Sequence, residues 1–122
     1  MQKLLIRAAV ATALVSAAIG IASGTASAHP TVDVAVANWK FTPDKISIPV
    51  GEPTTLRLTA SSGVHGIKSD ELGIPMTTIP NGKTVEVTFT PQKAGEYVLH
   101  CMIFCGPGHA DMKLTIDVVA SP

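Results

Sequence analysis

Tyr97-Val98-Leu99-His100-Cys101-Met102-Ile103-Phe104-Cys105-Gly106-Pro107-Gly108-His109-Ala110-Asp111-Met112-Lys113-Leu114-Thr115-Ile116-Asp117-Val118 reads as two runs of period two joined by a loop that carries both cysteines of the chain. In the first run Tyr97, Leu99 and Cys101 share one face, and Val98 and His100 share the other. In the second, Met112, Leu114, Ile116 and Val118 alternate with Lys113, Thr115 and Asp117. Apolar–polar alternation of this length predicts half-buried β-strands, because successive side chains leave a strand on opposite faces. Cys101 and Met112 are then the inward-facing residues at the two feet of the loop. His100 falls on the opposite face from Cys101 and reads as solvent-facing.

The same period runs through the rest of the chain. Val32, Val34 and Val36; Ile46, Ile48 and Val50; Leu56 and Leu58; and Val85, Val87 and Phe89 each occupy alternate positions. Turn signals separate these runs at Thr42-Pro43-Asp44, Val50-Gly51-Glu52, Pro80-Asn81-Gly82-Lys83 and Pro91 to Gly95. Six short runs with β-branched enrichment, and no stretch of helical period after residue 28, predict an all-β sandwich or barrel of antiparallel strands. Pro49 marks its strand as an edge or a bulge, since proline has no N–H to donate to a ladder.

Residues 1–28 have the form of a secretory signal. Lys3 and Arg7 precede an uncharged apolar run from Ala8 to Ala22, and Ala26-Ser27-Ala28 fits a small-x-small cleavage rule with the cut before His29. The apolar run is short for a spanning helix, and membrane attachment is expected only if this segment stays uncleaved. The expected product, residues 29–122, is one small exported domain, in the periplasm or on the extracellular face of the membrane. Loss of Lys3 and Arg7 leaves seven Lys+Arg against nine Asp+Glu, a net charge of about −2. With no basic run and few aromatics, nucleic acid is not an expected partner. The residues show no Ser/His/Asp triad, phosphate loop or paired-carboxylate site, so a carrier is expected rather than an enzyme.

The loop between the last two runs holds a soft donor set: two thiols, an imidazole and a thioether. Such ligands select copper, zinc or iron–sulfur clusters, and a thioether beside an imidazole leans towards copper. Two thiolates four residues apart can bridge two ions. A structural disulfide is the competing reading for two cysteines in an exported protein. Cys-x3-Cys would close a very small loop, where the entropic gain is least and strain is greatest. It would also leave Gly106-Pro107-Gly108-His109 and Met112 without a purpose. A second nitrogen donor would have to come from elsewhere. His65, in Ser61-Ser62-Gly63-Val64-His65-Gly66-Ile67 just past the Leu56–Ala60 run, is the candidate, with flanking glycines that let a loop approach closely. Spacing by itself does not decide between that role and an ordinary histidine.

The Cys-x3-Cys-Gly-x-Gly-His-x-x-Met string closely resembles the binuclear purple-copper (CuA) domain of cytochrome c oxidase subunit II. The resemblance extends over about residues 33–119 and takes in Phe41, the Val64-His65 loop, Gly73 to Pro80, and Phe89-Thr90-Pro91 through Tyr97. It implies a Greek-key β-sandwich of the cupredoxin type holding two copper ions. Cys101 and Cys105 would bridge them, and His65 and His109 would each bind one. Met112 and the backbone carbonyl of Ile103 would be weak ligands, one to each ion. It implies a c-type cytochrome or terminal oxidase as redox partner. The chain departs from the family in having Ile103 where Glu is frequent between the cysteines. It also has no hydrophobic segment beyond the signal, and the aromatic-rich stretch before the first ligand is thinned to Trp39 and Phe41. A copper storage or delivery protein with the same ligands, and a tethered oxidase subunit, are the alternatives. Met102, Ile103 and Phe104 form a docking patch if exposed, or pack beneath the loop if not. Trp39 and Met76 read as packing residues.

Overall fold

The computed structural model describes residues 29–120; the signal sequence read at 1–28 lies outside them. Nine strands follow in order: β1 (Thr31–Ala37), β2 (Lys40–Thr42), β3 (Lys45–Pro49), β4 (Thr54–Ala60), β5 (His65–Ser69), β6 (Ile74–Ile79), β7 (Thr84–Phe89), β8 (Gly95–His100) and β9 (Lys113–Val119). One sheet has the order β2-β1-β4-β7, a second β3-β9-β8, and β5-β6 forms a two-stranded hairpin. All six runs of period two are strands, and the sandwich expected from them is present.

The core is the set of inward positions those runs define. Val34, Val36, Leu56, Leu58, Val87 and Phe89 come from the first sheet, and Ile46, Ile48, Leu99, Leu114, Ile116 and Val118 from the second; all are buried. The outer face of the first sheet is polar. Arg57 lies between Asp33 and Glu86, at 3.6 Å and 3.1 Å, and the hydroxyl pairs Thr55–Thr88 and Thr59–Thr84 flank it across β4 and β7. These exposed ion pairs contribute little, about 0–1 kcal/mol each, so burial of the opposite face holds the sheet together.

Two features differ from the expectation of a wholly antiparallel fold. β1 pairs with β4, and β3 with β9, in parallel. Alternation tells which side chains face inward but not which strand lies alongside. After the β1–β2 hairpin the chain crosses at Thr42-Pro43-Asp44 to the other sheet, where β3 meets β9 running the same way. The second difference is three further strands: β2 is only three residues long, with Phe41 as its one buried residue, and β5 and β6 lack a clean alternation. Gly66 and Pro75 interrupt the pattern of the hairpin, and its register shifts between Ile67 and Ser69. Pro49 sits on β3, an edge strand of its sheet, as its missing N–H requires.

Leu58 is fully buried on β4, in the middle of the first sheet. Truncation there should cost about 2–5 kcal/mol, whereas Thr59→Ala on the outer face of the same strand should cost under about 1 kcal/mol. Urea unfolding of Leu58→Ala and Thr59→Ala measures both, and equal losses would contradict this placement of the core.

Candidate metal centre

The strand alternation delivers two of the sulfurs. Leu99 and Cys101 are buried at the end of β8, with Val98 and His100 exposed between and beside them. Met112 is fully buried immediately before β9. The Cys101 N–H donates to the Met112 carbonyl at 3.1 Å, so the β8–β9 ladder closes directly beneath the loop. Within the loop, His109–Asp111 forms a single 3-10 turn, which brings His109 back towards Cys105.

His65 is brought in from the other side. It is the first residue of β5 rather than a loop residue, and it is fully buried. Gly66, next to it, lets the two segments meet. Its carbonyl accepts the Met102 N–H at 2.8 Å, and a β-carbon there would stand 3.0 Å from the Ile103 side chain and 2.8 Å from Cε of Met76. The close approach expected of this glycine is therefore present.

The donor atoms converge. Cys101 Sγ lies 3.5 Å from Cys105 Sγ, 3.9 Å from His65 Nδ1 and 3.1 Å from the Ile103 carbonyl oxygen. Cys105 Sγ lies 3.5 Å from His109 Nδ1 and 3.8 Å from Met112 Sδ. His65, Cys101 and Cys105 alone place three donor atoms within 4.8 Å of one another. All six residues singled out from the sequence thus meet at one end of the sandwich. They fall into two halves joined by the two sulfurs: Cys101 with His65 and the Ile103 carbonyl, and Cys105 with His109 and Met112. A tetrahedral ion with bonds of about 2.3 Å to sulfur and 2.0 Å to nitrogen holds such donors roughly 3.5–3.8 Å apart. The observed separations suit donors that share ions. Both cysteines are free, and a disulfide would need their sulfurs at about 2.05 Å.

The two imidazoles are held differently. His65 Nε2 donates to the Ser62 carbonyl at 2.7 Å, which puts the proton on Nε2 and leaves the Nδ1 lone pair facing Cys101. A hydrogen bond to the far ring nitrogen is the usual way a ligating histidine is oriented. His109 is only partly buried, and its ring meets Phe104 at 5.5 Å with a 49° tilt. Phe104 itself is 80% exposed and Met102 50%. Met102 and Phe104 are therefore presented outwards, while the half-buried Ile103 side chain packs against Gly66. Trp39 and Met76, read as packing residues, are partly exposed, and both lie against the ligand segments. Trp39 donates its indole N–H to the Cys105 carbonyl at 2.7 Å. This contact was not foreseeable from spacing, since it is made across 66 positions of sequence, whereas the Ser62 carbonyl that holds His65 lies only three residues before it.

Residues 6–116 match the family model for the cupredoxin-like domain, and the chain belongs to that family. It is 31% identical over 88 residues to cytochrome c oxidase subunit 2 of Thermus thermophilus, covering 72% of this chain and 64% of that protein, so it spans somewhat under two thirds of that relative's length. In fold it is similar to the periplasmic domain of subunit II of cytochrome oxidase (CoxB) of Bradyrhizobium japonicum, with a TM-score of 0.67 and 19% identity over 75% of this chain and 85% of that one. It is also similar to auracyanin from the photosynthetic bacterium Roseiflexus castenholzii, with a TM-score of 0.56 and 18% identity over 75% of this chain and 98% of that one. The all-β cupredoxin fold and the likeness to oxidase subunit II thus rest on sequence and on architecture together.

Burial, followed by the neighbouring Cys101, pushes the Cys105 thiol up from an ordinary 9.0 to about 11. The metal-free fold therefore favours the neutral thiol. Its contribution to stability is complete below about pH 9 and is lost as the pH rises towards about 11. Thermal melts of the metal-free protein should hold steady up to about pH 9 and then fall more steeply than those of Cys105→Ser. Parallel curves for the two proteins would show that the thiol is not under this constraint.

Proposed function

We propose that this domain is an exported electron carrier that holds two copper ions, with residues 1–28 removed on export. Cys101 and Cys105 would bridge the pair through their sulfurs. His65 and His109 would each bind one ion, and Met112 and the Ile103 carbonyl would be weak donors, one to each ion. The observation that carries this reading is the pairing of donors. Two thiol sulfurs lie 3.5 Å apart, and each has its own imidazole nitrogen within 3.9 Å. The donor chemistry fits: soft sulfur with imidazole suits copper. When bound, the copper pair supplies a one-electron couple.

The chain's own part is to keep those donors still. Cys101 and Met112 are anchored at the feet of a closed β-ladder, and His65 is locked by Ser62, so a change of charge at the site leaves the ligands little room to move. Sulfur, imidazole and carbonyl groups of the chain fill the positions around the site, which favours electron transfer over substrate chemistry. The exposed Met102 and Phe104, the latter against His109, give a redox partner an apolar surface to approach. That partner is proposed to be a c-type cytochrome or a terminal oxidase. Similarity to an oxidase subunit of greater length supports that choice.

The decisive measurement is on the exported protein loaded with copper. A purple protein whose EPR hyperfine pattern shows one unpaired electron shared over two coppers is the expected result. A blue or colourless mononuclear species with Cys101 and Cys105 oxidised to each other would rule the proposal out. Reversible reduction by a c-type cytochrome is expected of a carrier, while ready copper transfer to a metal-free acceptor would instead mark a storage or delivery protein. Met102→Ser should slow exchange with the partner without altering the absorption spectrum; loss of the spectrum would mean that Met102 supports the site rather than the encounter.

A further inference from the structure

We propose that the two-residue turn Asn38-Trp39, between β1 and β2, is a yoke that holds the two ligand-bearing segments in register with each other. Each residue of the turn grips a different segment. The Asn38 backbone N–H donates to Ser62 Oγ at 2.9 Å, and the carbonyl of the same Ser62 accepts His65 Nε2–H at 2.7 Å. The Trp39 indole N–H donates to the Cys105 carbonyl at 2.7 Å, across 66 positions of sequence. One short turn is thus one residue removed from the His65 imidazole on one side and bonded to the backbone of Cys105 on the other.

Packing makes the grip tight. The Trp39 ring lies on the backbone of Gly106 and Gly108, two of the three residues that separate Cys105 from His109. A β-carbon on Gly106 would stand 2.8 Å from the indole nitrogen, and one on Gly108 2.5 Å from Trp39 Cβ. Gly106 also has a φ of +123°, open to glycine and strained for other residues. On the other arm, a β-carbon on Gly63 would come within 2.9 Å of His65 Nε2 and 3.2 Å of Asn38 Cγ. These three glycines are the places where the turn and the ligand segments touch without an intervening side chain. The turn itself is fixed by the β1–β2 pairing of Ala37 with Lys40, so it moves with the first sheet. Cys101 and Met112 stand at the end of the second sheet. Trp39 is therefore a tie from the first sheet to the loop that the second sheet carries.

Trp39 acts as a positioning residue: it bears on the carbonyl of a ligand and not on the metal. Groups that orient metal ligands in this way typically account for about 10–100-fold in metal affinity. The inference rests on the proposed copper centre, and its test separates the two. Trp39→Phe keeps an aromatic ring over the glycines and removes the N–H. In the copper-loaded protein it should release copper to excess EDTA about tenfold faster and shift the absorption bands. Combined with Ser62→Ala, its effect should be non-additive, because both substitutions loosen one yoke. In the metal-free protein, hydrogen exchange at the His109 amide, which is bonded to the Gly106 carbonyl at 3.1 Å, should quicken in Trp39→Phe, whether or not copper binds. Folded Trp39→Phe with unchanged release, spectrum and exchange would overturn the yoke. If the parent protein takes up no copper, the copper reading fails and the exchange measurement alone decides the yoke. Should Trp39→Phe not fold, Ser62→Ala carries the same test: faster release and a shifted spectrum support the yoke, and parental values overturn it.

Discussion

The Cys101 N–H to Met112 carbonyl bond is the contact on which the rest of the site depends. It closes the β8–β9 ladder at the point where the chain leaves the sandwich, and it converts a ten-residue excursion into a loop with fixed feet. Both feet are buried sulfur residues, so the positions of Cys101 and Met112 are set by the packing of the core and not by the loop. What remains for the loop is to return Cys105 and His109 over them. Glycines at 106 and 108, the 3-10 turn at His109–Asp111 and the Trp39 indole accomplish this. A donor set fixed by sheets changes little when charge is added or removed, which is the physical requirement for moving an electron quickly.

The site is asymmetric in depth. His65 is fully buried and its proton is committed to Ser62, whereas His109 is half-buried and lies between Cys105 and the tilted ring of the exposed Phe104. Burial on one side keeps water from the donors. Exposure on the other leaves Phe104 against His109, with Met102 and part of Trp39 also open to solvent on the segments around the site. Between the two cysteines stands Ile103, whose side chain packs on Gly66. Its backbone carbonyl faces Cys101 at 3.1 Å.

The division between the two faces of the first sheet explains how so small a domain supports the site. Its inner face is aliphatic apart from Phe41, Phe89 and the buried Thr54, and its outer face is a lattice of threonines around the Arg57 ion pairs. The stabilisation lies in the inner face, through apolar area removed from water. The hairpin β5–β6 belongs to neither large sheet, and it places His65 over the open end of the second.

The sequence by itself determined the strand character, the inward faces and the donor inventory, because alternation and residue chemistry are local properties. Leu99, Cys101, Met112 and Leu114 could be assigned to one interior face from their spacing alone, and His100 to the other. The loop motif carried the copper resemblance for the same reason: its donors are neighbours in the chain. Tertiary structure decided everything that required knowing which distant segments meet. The parallel pairings of β1 with β4 and β3 with β9, the strand position of His65, and the bonds from Asn38 to Ser62 and from Trp39 to Cys105 have no signature in spacing. They arise from crossovers between sheets, where a residue's partner lies tens of positions away and is chosen by the packing of the whole sandwich.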